Sequence, residues 1–311
     1  RTRPERVPDS RSDRDIRDGV VAGIVAYTSW GVLPVYFRIV GDVAATEVLL
    51  HRIVWAVPFG ALIIHWRRQW PEVRRALSHG RIMLALTTAA VFIAANWLVY
   101  IIAIQREQVF QASLGYYINP LMYVLVGVLF LGEQLRLLQS AALILATVGV
   151  LVLTVSGGQF PGIALFLAVS FTIYGTIRKR VVIGGMPGLF VETLVLLPAA
   201  AAWLAVLMLG GRAAFVADGA SISGLLLLAG PITVVPLLCF ALAARRLSLT
   251  TVGFMQFIAP TLQFLIGLYY GEQLTLPHLV CFACVWVAVT LFSVDAVRSR
   301  GASRVPAGAG T

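Results

Sequence analysis

The chain has 311 residues, 59% of them hydrophobic and only 12% charged, with a mean hydropathy of +0.89. An ordinary soluble domain carries about 25% charged residues, so that class is excluded and the chain belongs in a bilayer. The formal net charge of +10 does not call for nucleic acid, because membrane proteins gather Lys and Arg in cytoplasmic loops for topological reasons.

Residues 1–18, with six arginines among acids, predict a cytoplasmic polar tail rather than a signal peptide. The apolar run that follows is too long for an h-region and ends without a small-residue cleavage site. Ten apolar runs of spanning length come next, near 20–38, 47–66, 82–104, 111–131, 138–155, 161–179, 188–209, 222–243, 251–270 and 277–294. A helix needs about 20 such residues to cross, because the bilayer core offers its backbone no water to bond. A short polar tail, 296–311, closes the chain. The expected fold is an all-α integral membrane protein of ten transmembrane helices.

With the N-terminus placed in the cytoplasm, 20 of the 24 Lys and Arg fall on the inner side. Only Arg38, Arg106 and Arg212 fall outside, and Arg52 lies within the second run. The opposite orientation breaks the positive-inside rule throughout, so both termini are expected in the cytoplasm. The segment Trp66 to Gly80, with four arginines and two tryptophans, predicts an interfacial turn or short helix against anionic lipid.

Polar groups at membrane depth are costly and so form the list of site candidates. In the first run, Trp30 offers a stacking surface and Pro34 a bend. In the second, Glu47 and His51 are four apart and can touch, while Arg52 is expected to snorkel outward or pair with a carboxylate. Asn96 and Tyr100 share one face of the third helix, suited to a bound solute or to a neighbouring helix. Tyr116, Tyr117, Asn119 and Pro120 form the densest cluster, and the proline frees a carbonyl toward a cavity. Tyr174, Glu192, Gln256, Pro260 and Gln263 are the candidates of the second half. Glu47, Arg52 and Glu192 are the candidates for coupling transport to protons or a counter-solute.

Cys239, Cys281 and Cys284 lie in apolar runs, and the CxxC formed by the last two is expected to pack as small residues. Neither a metal nor a cofactor is expected. No HExxH, GxSxG or GxxxxGK motif is present, which argues against an enzyme and leaves no nucleotide to drive transport.

The ending GEQL occurs twice, at Gly132 to Leu135 and at Gly271 to Leu274. At a fixed shift of 140, Ala103, Arg106, Ile118, Pro120, Leu125 and Gly127 meet Ala243, Arg246, Ile258, Pro260, Leu265 and Gly267, and Tyr117 meets Phe257. Glu47 and Glu192 form a weaker echo. The repeat unit is therefore five helices long, 19–156 and 157–295, and an odd number forces the second copy to start on the opposite side of the membrane. Inverted repeats of this kind build secondary transporters, with Gly132, Glu133, Gly271 and Glu272 as matching helix ends. Each glutamate is expected to solvate a loop or cap the next helix.

The segments TSWGVLPVYFR (28–38), EVLLHRIVW (47–55), NWLVYIIAI (96–104), ASLGYYINPL (112–121), LGEQL (131–135) and FIAPTLQFLIGL (257–268) resemble the RarD subfamily of EamA-type transporters, in the drug/metabolite transporter superfamily. The resemblance runs from about Gly19 to Val294. It implies two inverted EamA repeats around a central cavity, a bacterial inner-membrane location, and export of small metabolites, amino-acid-like compounds or drugs. A homodimer is a further expectation, and the alternative function is a membrane sensor or accessory protein that does not transport.

Overall fold

The computed structural model describes residues 13–131, 135–157, 160–247, 251–252 and 255–302, and every regular element among them is helical. The first apolar run is divided into α1 (Asp13–Gly31) and α2 (Leu33–Ile39). Pro34, in the first turn of α2, lacks the N–H that a continuous helix would aim at the Trp30 carbonyl. That carbonyl instead accepts a hydrogen bond from Nε2 of Gln263, 3.2 Å away. The break that the proline imposes is thus stitched to a distant helix.

There follow α3 (Ala45–Trp66), the short α4 (Trp70–Ser78), α5 (Gly80–Gln105), α6 (Val109–Leu131) and α7 (Leu137–Gly157). The second half contains α8 (Gly162–Arg180), α9 (Gly185–Leu209), the single turn α10 (Ala214–Ala217), α11 (Gly219–Arg246), α12 (Ile258–Tyr269) and α13 (Leu276–Ala302). Among the described residues, eight helical segments are long and apolar enough to cross a membrane. α6, of 23 residues, occupies the fourth apolar run, and α12, of 12, the end of the ninth.

The ninth run is shorter as a helix than the expected 251–270. A turn at Gln256 and Phe257 precedes α12, at the point where the Pro260 ring would collide with the carbonyl of a continuous helix. Pro260 therefore starts α12 rather than bending its middle. Its missing N–H falls in a first turn, where no intrahelical partner exists in any case.

The helices pair across the two halves of the chain. α1 packs on α11 and α8 on α5; α1 meets α12 and α8 meets α6; α11 meets α3 and α5 meets α9. α3 lies on α9, α6 on α12, and α7 on α13. Small residues permit these approaches. A Cβ on Gly230 of α11 would fall 2.5 Å from the Trp55 carbonyl oxygen of α3, and one on Gly149 of α7 would fall 2.9 Å from the Cys284 Cβ of α13.

The α12 end explains the residue order of its GEQL. Gly271 has φ +81°, and the N–H groups of Gly271 and Glu272 donate to the carbonyls of Leu268 and Gly267, each at 3.0 Å. This double closure needs a residue that tolerates positive φ at its C′ position, which glycine supplies. It turns Glu272 back across the bundle, where its carboxylate accepts from the backbone N–H of Val109 and, at 2.8 Å, from that of Phe110. Glu272 therefore caps α6 of the other half rather than the helix that follows it. Gly132 and Glu133 lie outside the described residues.

Candidate functional site

The apolar face of α3 carries three adjacent polar groups whose environments differ. Glu47, buried in the first turn, accepts at 3.1 Å from the Phe215 N–H, in the turn where Val216 has a φ of +72°. The strained turn between α9 and α11 is thereby held by a carboxylate from the first half. His51 Nε2 lies 3.8 Å from the Glu47 carboxylate, and His51 Nδ1 accepts from Trp55 Nε1 at 3.0 Å. Since Nδ1 is an acceptor, the neutral ring carries its proton on Nε2, facing Glu47.

Arg52 is 4% exposed. Its Nε donates to Thr233 Oγ1 at 3.1 Å, and its guanidinium lies over the Trp97 ring at 4.4 Å and the Phe37 ring at 5.4 Å. Neither expected arrangement is found: the side chain does not snorkel, and it has no carboxylate partner among the described residues. Glu47 is five positions away, about 140° around the helix at 100° per residue, so it points elsewhere. The aromatic faces and the Thr233 hydroxyl take over part of the solvation that a snorkelling side chain finds in water. An unpaired buried ion still costs several kcal/mol after such relaxation.

Around Arg52 the aromatic side chains form a continuous series. Tyr36 meets Phe37, Phe37 meets Tyr100, Tyr100 meets Tyr116, Tyr116 meets Phe171 and Phe171 meets Tyr174, with ring centroids 5.1 to 6.2 Å apart. Tyr36 and Tyr100 both meet the Phe37 ring, over which the guanidinium lies, and Tyr116 follows by its contact with Tyr100. Tyr36 donates its O–H to the Leu225 carbonyl at 3.0 Å, whereas the buried hydroxyl of Tyr100 has no hydrogen-bond partner among the described residues.

At the far end of the series, the Tyr174 hydroxyl donates to Glu192 at 3.3 Å, and Glu192 pairs with Arg178 Nε at 3.3 Å. Arg178 lies in the last turn of α8. Its side chain is 14% exposed and folds back onto α9. Arg38 and Arg178 are separated by the same 140 positions that relate the repeats. Arg38, however, pairs with the exposed Glu107 at 2.9 Å and covers the Tyr270 ring at 4.1 Å.

The remaining candidates divide. Asn96 donates to the Leu167 carbonyl at 3.0 Å and to Ser170 Oγ at 2.9 Å, so its amide group joins α5 to α8. Its Oδ1, like Oδ1 of Asn119 and Oε1 of Gln263, is buried without a hydrogen-bond partner. Tyr117 turns away from Arg52 and shares a 2.7 Å hydrogen bond with Thr261 on α12; its neighbour Tyr116 is the one that joins the aromatic series. Trp30 packs on Tyr27 and Phe240, and Gln256 is partly buried in the turn before α12. Pro120 sits inside α6, whereas the Pro260 carbonyl is taken by the Ser113 hydroxyl at 2.8 Å. Thr233 and Ser170 escaped the sequence reading because a hydroxyl in an apolar helix ordinarily bonds its own helix, as both also do.

Residues 17–155 match the EamA-like transporter family. An "Uncharacterized transporter" of Vibrio cholerae is 43% identical over 94% of this chain and 97% of its own length. The "Protein RarD" of Escherichia coli K12 is 40% identical over 92% of this chain and 97% of its own. A solved crystal structure aligns over 90% of this chain and 98% of that one with a TM-score of 0.59 at 18% identity, a likeness of fold alone. With relatives of this identity over nearly its whole length, the chain belongs to the RarD-type EamA transporters, a family of multi-pass bacterial membrane proteins.

Proposed function

We propose that the protein is a secondary-active exporter of small metabolites, amino-acid-like compounds or drugs, working by alternating access between two inverted five-helix units. In this reading the protein is not an enzyme. The observation that carries it is the exchange symmetry of the packing. The main partnerships of one half have counterparts in the other, as α1 on α11 is matched by α8 on α5. α3 with α9, α6 with α12 and α7 with α13 pair as equivalents across the pseudo-two-fold axis. Tyr117 and Phe257, matched by the repeat shift, lie against one another with centroids 6.4 Å apart and planes 17° from parallel, as residues beside that axis do. An inverted pair of this kind interconverts two faces when one unit rocks against the other.

α6 and α12, added to the eight segments of spanning length, complete a ten-helix topology with both termini in the cytoplasm, within the inner membrane. Coupling by protons or a counter-solute through Glu47 or Glu192 belongs to the same proposal. It requires that the pH dependence of transport vanish in Glu47→Gln or Glu192→Gln.

The test compares extracellular metabolites of cells lacking the protein with those of cells overproducing it, with an Asn119→Ala or Pro120→Ala variant as the control for membrane load. A compound that rises outside only with the active protein establishes export and names its class. No protein-dependent change across a broad panel overturns the exporter reading and favours a sensor or accessory role.

A further inference from the structure

We propose that Arg52, with the hydroxyls of Tyr100 and Tyr116, binds the carboxylate of a small aromatic or amphipathic acid. The inference rests on the transport reading, since it names the chemical class of the cargo. Arg52 has five N–H donors and no acceptor capacity, and among the described residues one of them is used, on Thr233. The guanidinium carbon lies 4.4 Å from the Trp97 centroid and 5.4 Å from that of Phe37, and the edge formed by its two terminal nitrogens carries the remaining donors. That edge matches the two oxygens of a carboxylate in a bidentate pair.

The Tyr100 hydroxyl is the second, independent observation. It is buried and has no hydrogen-bond partner among the described residues, and its ring meets that of Phe37, over which the guanidinium lies. Tyr116, in ring contact with Tyr100 at 5.6 Å, adds a second phenol to the same aromatic series. A guanidinium with donors to spare, beside phenol groups that can also donate, favours an anion. Among the described residues no carboxylate supplies it: Glu47 is held by Phe215 and His51, and Glu192 by Arg178 and Tyr174. The walls of Phe37, Trp97, Tyr116 and Phe171 suit an apolar or aromatic body attached to the charged end.

The experiment uses the full chain in lipid nanodiscs and three probes of one shape: 3-phenylpropanoate, 3-phenylpropanamide and phenyl phosphate. Binding is read as protection against thermal unfolding and as a change in tryptophan fluorescence, to which Trp97 contributes. The expected result is binding of the carboxylate about tenfold or more tighter than the amide, as expected for a charge-assisted bidentate contact. That preference is lost in Arg52→Gln, weakened in Arg52→Lys, and reduced several-fold in Tyr100→Phe, while the exposed Glu107→Gln keeps it. Tyr100→Phe removes only a hydroxyl and so reports even where Arg52→Gln fails to fold.

Equal binding of acid and amide, retention of the acid preference without Arg52, a preference for phenyl phosphate, or no selective binding in the panel each overturns the proposal. None of these outcomes depends on turnover. Loss of the exporter reading is seen instead in the metabolite comparison, so the two failures are distinguishable.

Discussion

Glu272 reaches from the turn after α12 to the first residues of α6, where the Phe110 N–H donates to it at 2.8 Å. The end of a helix in the second half is thereby fastened to the start of one in the first. At a helix N-terminus the carboxylate meets two otherwise unsatisfied donors and the positive end of the dipole.

Burial nevertheless raises the Glu272 carboxyl above its ordinary range, outweighing the Phe110 and Val109 N–H groups and Arg38, which pull it down. A raised folded-state value means that stability linked to this group is full below the ordinary glutamate range and declines as pH rises through the folded value. Thermal unfolding of the detergent-solubilised protein from acid to neutral pH is expected to show this decline. The decline is absent in Glu272→Gln, which keeps an acceptor without the titration. Glu272→Ala, which loses the cap at every pH, is expected to cost about 1 kcal/mol or more.

Arg178 and Arg38 occupy matching positions with opposite consequences. The Arg178–Glu192 pair is buried, so Glu192→Ala leaves an uncompensated charge and is expected to destabilise by about 3–5 kcal/mol. A double variant, Arg178→Met with Glu192→Leu, is expected to be more stable than the sum of its single changes, and a double-mutant cycle measures the difference. Arg38→Gln breaks a pair whose side chains are 37% and 67% exposed and is expected to change stability by less than about 1 kcal/mol.

Gly149 sets the distance between α7 and α13. A Val there meets the Cys284 Cβ and the Cys281 backbone, so Gly149→Val is expected to lower the unfolding temperature by several degrees, as overpacking by about 1–3 kcal/mol does. Both cysteines are free thiols, and Cys281 is fully buried. Cys281→Ala with Cys284→Ala is expected to leave the response to reductant unchanged, measured as unfolding temperature with and without dithiothreitol.

Much of this architecture follows from the amino-acid order alone. Backbone groups in a bilayer must be satisfied within their own segment, so each apolar run declares its helix, and helical elements fall on all ten runs. Pro34 and Pro260 similarly announced where helices are interrupted, because a missing N–H acts on its own turn. Of the two GEQL endings the second lies among the described residues, and there Gly271 closes its helix through local φ freedom.

What touches what was decided only by the tertiary structure. That Glu272 caps α6, that Arg178 turns inward to Glu192, and that Arg52 meets Thr233 and Trp97 are contacts of this kind: Glu272 and Phe110 are 162 positions apart, and Arg52 and Thr233 are 181. A side chain's partner at such separations depends on helix rotation and crossing, which apolar composition scarcely constrains because lipid-facing and core-facing residues are equally greasy. Tyr116 and Tyr117 show the limit: adjacent in sequence and alike in chemistry, they are separated by about 100° of helix rotation, and only packing assigns one to Arg52 and the other to α12.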